Sequence, residues 1–348
     1  MMRGKAPTTV RVAPAKTSSP SFRRQHSISV EGARHRVEAA RADGYAVALA
    51  CDPTLEGVLG SIGIGYLAHV DEAHVRLLPR DGCQQRFGEQ VVDMPSDASD
   101  DLVTLARRVY LGVERHVVQD CPKARQGHCP TNCAGACARR LVYATASDAP
   151  TMPEAVHRYV RMAFTEGSRM RGLIAEERVV EVDELARYVL GECEHTKQFA
   201  RFSLLADGSL FAAFRPRADT IPLTAGYFAA RMGGERFCIV DPVHRSAAFH
   251  DSGKLGGRKG YAIVKLDEES AEQLMRSKDL SPDEPYVRAL WKRFYDAVTL
   301  PGRDVSQRGY DLRAGWMPKR FWGGLTELDS RAEQAPSTIP ERYHKTLK

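Results

Sequence analysis

The spacing of hydrophobic and polar positions changes several times along the 348 residues, and each change marks an expected element. Val30–Ala42 reads as a short helix. Tyr45–Cys51 is an apolar run after Asp-Gly and reads as a buried strand. Asp52-Pro53-Thr54 supplies a turn, with an acid and a threonine placed to cap a helix from about Leu55 to His69. Gly60, Gly63 and Gly65 inside that helix have neither the order nor the strand–helix position of a dinucleotide fingerprint, so close helix packing explains them. Residues 71–97 show no sustained period and read as a variable segment. Ser99-Asp100-Asp101 then caps a helix through Val118, whose Leu102, Leu105, Val109, Val113 and Val117 keep helical spacing. Two further helices are expected at Thr151–Ile174 and Glu181–Glu194.

From Phe199 the period changes to two. Phe199–Leu205 and Ser209–Phe214 flank Ala-Asp-Gly and predict a hairpin. Arg215-Pro216-Arg217-Ala218-Asp219 leaves the sheet as a charged loop. Ile221–Met232 has helical spacing and ends at Gly233-Gly234, where a left-handed cap suits glycine. Arg236–Asp241 and Ser246–His250 are strands around a Pro-containing turn. Tyr261–Leu266 is a further strand, Ser270–Met275 a short helix, and Pro285–Leu300 an amphipathic helix stopped by Pro301-Gly302. The expected fold is α+β: one mixed or largely antiparallel sheet covered by helices, with a helical middle subdomain over about 98–198. Residues 1–29 read as a disordered basic leader, 30–330 as a single domain, and 331–348 as a frayed tail.

Composition changes this picture little: 43% apolar and 27% charged residues suit a globular chain. No run approaches the length of a membrane span, and no secretory signal is visible, so a cytoplasmic location is expected. The net charge of +6 is more instructive once located. Arg3, Lys5, Arg11, Lys16, Arg23 and Arg24 supply all of it with no acid before residue 31. Global basicity is therefore no sign that the folded body binds nucleic acid.

Four of the eight cysteines, Cys121, Cys129, Cys133 and Cys137, fall within one short stretch. In a chain without an export signal such a cluster raises metal ligation over disulfides. Four thiolates suit tetrahedral Zn or a [4Fe–4S] cluster, and free thiols are the alternative. His195, His244 and His250 flank the central unit, as acid–base candidates or as structural residues; Glu192, Glu194 and His195 read as a polar knot at a helix end. Gly253–Gly260 resembles a phosphate loop but also reads as an exposed hairpin connection. No P-loop, nucleophile elbow or zinc-protease motif is present.

The C-terminal region interleaves cations with rings. Trp291, Phe294, Trp316, Phe321 and Trp322 alternate with Lys292, Arg293, Lys319 and Arg320. Cations meet phosphate while ring faces stack unpaired bases, which suits single-stranded or flipped nucleotides. The rings of Trp291 and Phe294 also suit a helix face turned to the core. Arg201, Arg215, Arg217, Lys292, Arg293, Lys319, Arg320 and Trp322 are the nucleic-acid-binding candidates.

The motifs FARF, FRPRADTIPL, YFAARM and FCIVDP, with LWKRFYDAV and WMPKRFW much later, resemble a family of DNA-repair or DNA-metabolism proteins. The resemblance covers roughly Tyr45 to Leu328. It implies a gene neighbour encoding a radical-SAM protein and, in some relatives, fusion to a uracil-DNA glycosylase domain. It implies a process and carries no established reaction. The favoured expectation is a factor that holds damaged or modified DNA, single-stranded or lesion-bearing, for a radical-SAM partner. The alternatives are an enzyme acting on a nucleobase with a Cys-ligated metal, and a protein-interaction subunit that binds no nucleic acid.

Overall fold

The structure, a computed structural model, describes residues 28–81, 84–118, 133–251, 260–276, 279–297 and 317–326. Among these residues the chain builds two sheets where the sequence suggests one. The first is wholly parallel, with β1 (Ala46–Cys51) between β2 (Val75–Pro79) and β3 (Glu89–Asp93). Every residue of β1 after Ala46 is buried, as expected of a central parallel strand covered on both faces. Both outer strands lie inside the segment expected to be variable. Each has five residues and presents only two buried positions, too few to register as a period.

Helix α1 (Val30–Ala42) is capped by Ser29, whose hydroxyl accepts from Gly32 N at 3.0 Å. Helix α2 (Leu55–Leu67) is capped by Thr54, which accepts from Gly57 N at 3.1 Å. A Cβ on Gly60 would lie 2.5 Å from Leu102, and one on Gly63 would lie 2.5 Å from Leu105. The glycines thus let α2 approach α3 (Asp100–Val118) closely, as the sequence suggests.

Helices α4 (Cys133–Ala144) and α5 (Met152–Glu166) follow, and α5 stops at Gly167, whose φ is +52°. A 3₁₀ turn covers the remainder of the longer helix expected here. Helix α6 (Glu177–Phe199) outruns its expected span at both ends. Its Val179 and Val182 belong to the core of the first sheet, whereas Val189 and Cys193 pack with Ala218 of the second unit. Serving two cores on different faces blurs the single stripe by which a helix is recognised.

The second sheet has the order β4-β5-β6-β7-β8. Its strands are β4 (Ser203–Leu204), β5 (Leu210–Ala213), β6 (Phe237–Asp241), β7 (Ser246–His250) and β8 (Tyr261–Lys265). Neighbours are antiparallel except β5 and β6, which run parallel across helix α7 (Ile221–Met232). Strand alternation sends Ala212, Phe237, Ile239 and Ala248 to one face with Phe228 of α7. It sends Phe211, Val240 and Ala247 to the other, against Leu274 and Met275 of α8 (Glu268–Arg276). Helix α9 (Glu284–Ala297) is anchored at the β4 edge, where Glu284 Oε2 accepts from Leu204 N at 2.9 Å. The mixed sheet, the helical middle and the α+β class agree with the pattern of the sequence.

Candidate functional site

The parallel strands β5 and β6 end side by side, with Ala213 opposite Val240. In sheets of this kind the loops that leave the carboxyl ends of adjacent parallel strands are the natural place for a ligand. Here those loops are Arg-Pro-Arg-Ala-Asp after β5 and Asp-Pro-Val-His-Arg after β6. Burial alternates along the first: Phe214, Pro216 and Ala218 face inward, and Arg215 and Arg217 face solvent. The loop is pinned where Arg217 N donates to Glu192 Oε2 at 2.8 Å and where Ala218 bridges Ser147.

Asp219, at the end of this loop, braces neither arginine. Asp219 instead accepts from Ser246 Oγ at 2.9 Å and from Lys265 Nζ at 2.7 Å. Among the described residues, no counter-charge pairs with the guanidinium of Arg215, Arg217 or Arg245. Arg245 also holds a left-handed backbone, φ +50°, a conformation that costs an ordinary side chain.

The second loop is held by His244. Its Nδ1 meets Asp241 Oδ2 at 2.5 Å and its Nε2 meets Asp148 Oδ1 at 2.8 Å. Asp241 is fully buried and also accepts from Val243 N at 2.9 Å. Burial works against the imidazolium, but the hydrogen bonds to Asp148 and Asp241 prevail and push its pKa up to about 10. Burial likewise pushes the Asp241 carboxyl upward, against the pull of its His244 bond. A histidine clasped this way keeps its proton near neutrality and acts as a tie rather than as an acid or base. His250 is also structural: it stacks on Phe237 at 4.9 Å, its Nδ1 meets Glu235 O at 3.0 Å, and burial lowers its pKa.

Glu192 gathers a second group of candidates. The sequence places it in a knot at a helix end, but α6 continues to Phe199 and Glu192 is buried inside it. Its Oε1 pairs with Arg320, and His195 Nδ1 lies 3.5 Å away. Phe321 is buried beside Phe199, ring centroids 5.8 Å apart, so this ring belongs to the core. Lys319 is exposed, and Trp322 Nε1 donates to Met317 O at 3.0 Å. Arg201 folds back over the end of α6, donating to Gln198 O at 3.1 Å.

The structure therefore brings Arg215, Arg217 and Arg320 into one neighbourhood, through the Arg-Pro-Arg loop and Glu192. Lys292 and Arg293 sit apart on α9, at the β4 side of the sheet. On that helix Trp291 and Phe294 are 39% and 58% exposed, so neither ring enters the core as the structural alternative requires.

Two clefts flank the loops. One, of about 580 Å³, is lined by Arg215, Arg245, Glu268, Glu272 and Arg276. The other, of about 1190 Å³, has Asp148 and Arg217 on one wall and β2 on the opposite wall. Sequence reasoning misses Asp148, which is 96 positions from His244 and carries no local signal, and Arg245, whose left-handed turn no motif announces. The Asp241 of FCIVDP is visible in the sequence, but its buried tie to His244 is not.

Of the clustered cysteines, Cys121 and Cys129 and the side chain of Cys133 lie outside the described residues. Cys137 is buried in the first core, where its carbonyl accepts from Tyr159 Oη at 3.4 Å. Among the described residues no group of three or more His, Cys, Asp or Glu side chains is placed to hold a metal. The Gly253–Gly260 loop and the basic leader likewise fall, wholly or almost wholly, outside them. No helix is long and apolar enough to cross a membrane, among the same residues.

Fold and site together define an α+β protein with a cationic edge at the carboxyl ends of two parallel strands. The chain belongs to the family described as a domain of unknown function, DUF4130, whose model matches residues 150–327. No curated protein matches it. Among solved structures it is similar to the crystal structure of RecJ in complex with Mn²⁺ from Thermus thermophilus, at 12% identity and a TM-score of 0.35. That match covers 71% of this chain and 53% of the other, so the chain spans about half the length of the protein it matches. At that distance the likeness assigns nothing to this chain.

Proposed function

We propose that the chain is a DNA-metabolism protein that grips the phosphate backbone of DNA along the β5–β6 edge. Arg215, Arg217 and Arg245 are the primary contacts, with Lys319 extending the surface. One observation carries this reading: three guanidiniums without a counter-charge among the described residues project from loops held stiff by Pro216, Glu192 and the His244 tie. A preorganised guanidinium suits bidentate contact with phosphate, and loses less freedom on binding than one on a loose loop. Arg320 is a weaker candidate, because Glu192 already neutralises it. The finer reading, a factor holding damaged or modified DNA for a radical-SAM partner, rests on the motif resemblance.

The experiment is a titration of the full chain with single-stranded, duplex and lesion-bearing DNA across a series of salt concentrations. Replacing Arg215 and Arg217 together by Ala should weaken binding and flatten the log–log salt slope by about 1.8, at roughly 0.9 per phosphate contact. A folded double variant with wild-type affinity and slope would overturn the reading. Tight binding to an acidic protein surface, with no affinity for DNA, would replace it with the interaction-subunit alternative.

A further inference from the structure

The cleft of about 1190 Å³ that Arg217 borders has an unusual opposite wall. The turn Arg86–Glu89 presents Phe87 with no packing at all, at 110% relative exposure. Such a ring normally buries a large apolar area, so a turn built to display one needs a reason. The turn itself is rigid. Gly88 takes φ +74°, Glu89 N donates to Arg86 O at 3.2 Å, and Arg86 N donates to Glu89 Oε2 at 3.0 Å. Glu89 is 6% exposed and paired with Arg76. On the far wall Tyr188 of α6 is 46% exposed.

The charges of this cleft are largely cancelled. Glu89 pairs with Arg76, Glu181 with Arg158 at 3.0 Å, and Asp148 with His244. Glu72 and Glu184 share the lining with Arg86 and Arg217, which leaves Glu154 as its one surplus carboxylate. Glu154 lines the same cleft, and its Oε2 accepts from Leu77 N at 2.7 Å. Behind it, buried His157 takes a hydrogen bond from Arg161 on Nε2 at 3.2 Å, and its Nδ1 lies 3.5 Å from Glu154 Oε2. The Leu77 bond holds the carboxylate in place, and its Oε1 has no hydrogen-bond partner among the described residues.

We propose that this cleft receives one nucleobase displaced from its strand. The base stacks on Phe87, donates an N–H to Glu154 Oε1, and leaves its phosphate at Arg217. A ring-lined recess with one surplus carboxylate to accept an N–H, beside Arg217 to meet a phosphate, matches a base together with its phosphate. The inference rests on the DNA reading above and specifies what that site takes in.

Fluorescence anisotropy of the full chain tests it, using a matched duplex, the same duplex with one unpaired central base, and the same duplex with an abasic site there. Wild type should bind the unpaired-base duplex about tenfold more tightly than the abasic one, in line with the worth of one base stack. Phe87→Ala and Glu154→Gln should each erase that difference and leave matched-duplex binding unchanged. Phe87 touches no core, so Phe87→Ala should fold, which a thermal melt checks. Absence of the preference in wild type, or its survival in both variants, overturns the inference, while retained duplex binding keeps the DNA reading standing. Absence of all DNA binding removes both. Phe87-dependent binding of a lysine-rich peptide, without base preference, would assign the cleft to a protein partner and overturn the inference too.

Discussion

His244 and Glu192 do at the scale of single residues what a longer core would otherwise have to do: each fixes a functional loop through one charge. For His244 the consequence is a pH dependence with a definite sign. Its folded pKa, near 10, lies above its ordinary value of 6.5. The folded state therefore binds this proton more tightly than the unfolded chain, and the stabilisation is complete below about pH 6.5. It is lost as pH rises from there through about 10. The melting temperature of the wild type should fall more steeply over that window than that of His244→Gln, which has no proton to lose. Parallel curves for the two proteins would show that the tie contributes nothing. Glu192 acts through its buried carboxylate, which holds Arg217 N and Arg320 at once. Removing one member of a buried charge pair is costly because the other is left uncompensated.

At the scale of elements, glycine provides a comparison internal to the protein. Gly60 of α2 and Gly191 of α6 both lie within helices. A Cβ at Gly60 would stand 2.5 Å from Leu102 Cγ and 3.2 Å from Leu102 O, whereas one at Gly191 meets nothing within 4 Å. Gly191→Ala should therefore stabilise by up to about 1 kcal/mol, the helix-propensity gain. Gly60→Ala should destabilise, since overpacking at about 1–3 kcal/mol exceeds that gain. Denaturant titration of the two variants reads the opposite signs directly.

The same local logic explains what the sequence makes legible among the elements. Ile221–Met232 and Ser246–His250 appear with the boundaries that their own spacing and flanking glycine or proline predict. Strands β2 and β3 do not, because their stability comes from pairing with β1 rather than from any pattern of their own. Helix α6 is longer than its spacing predicts because half its apolar positions answer to one core and half to another. Of the site, the Arg-Pro-Arg loop is legible as a stiff, charged exit from a strand. The ties that hold it, from Glu192 and from Asp148 through His244, join residues far apart in the chain and leave no trace in local spacing.

At the scale of the whole molecule, the family match and the packing do not share a boundary. The match begins at residue 150, two positions after the carboxylate that clasps His244. The helices it includes, α5 and the first half of α6, bury Val156, Val160, Val179 and Val182 in a core completed by Ala33, Leu49, Leu59 and Leu102. A fragment of residues 150–327 should thus expose an apolar flank and lose one arm of the His244 clasp. It should bind a hydrophobic dye and sediment as aggregates, where the full chain runs as a discrete species. A soluble, cooperatively melting fragment would contradict this. The clasp thus acts as a splice between what matches and what precedes it. Any transplant of this region into another protein would have to carry the parallel sheet along, or supply a substitute for Asp148 and for the flank that α5 leans upon.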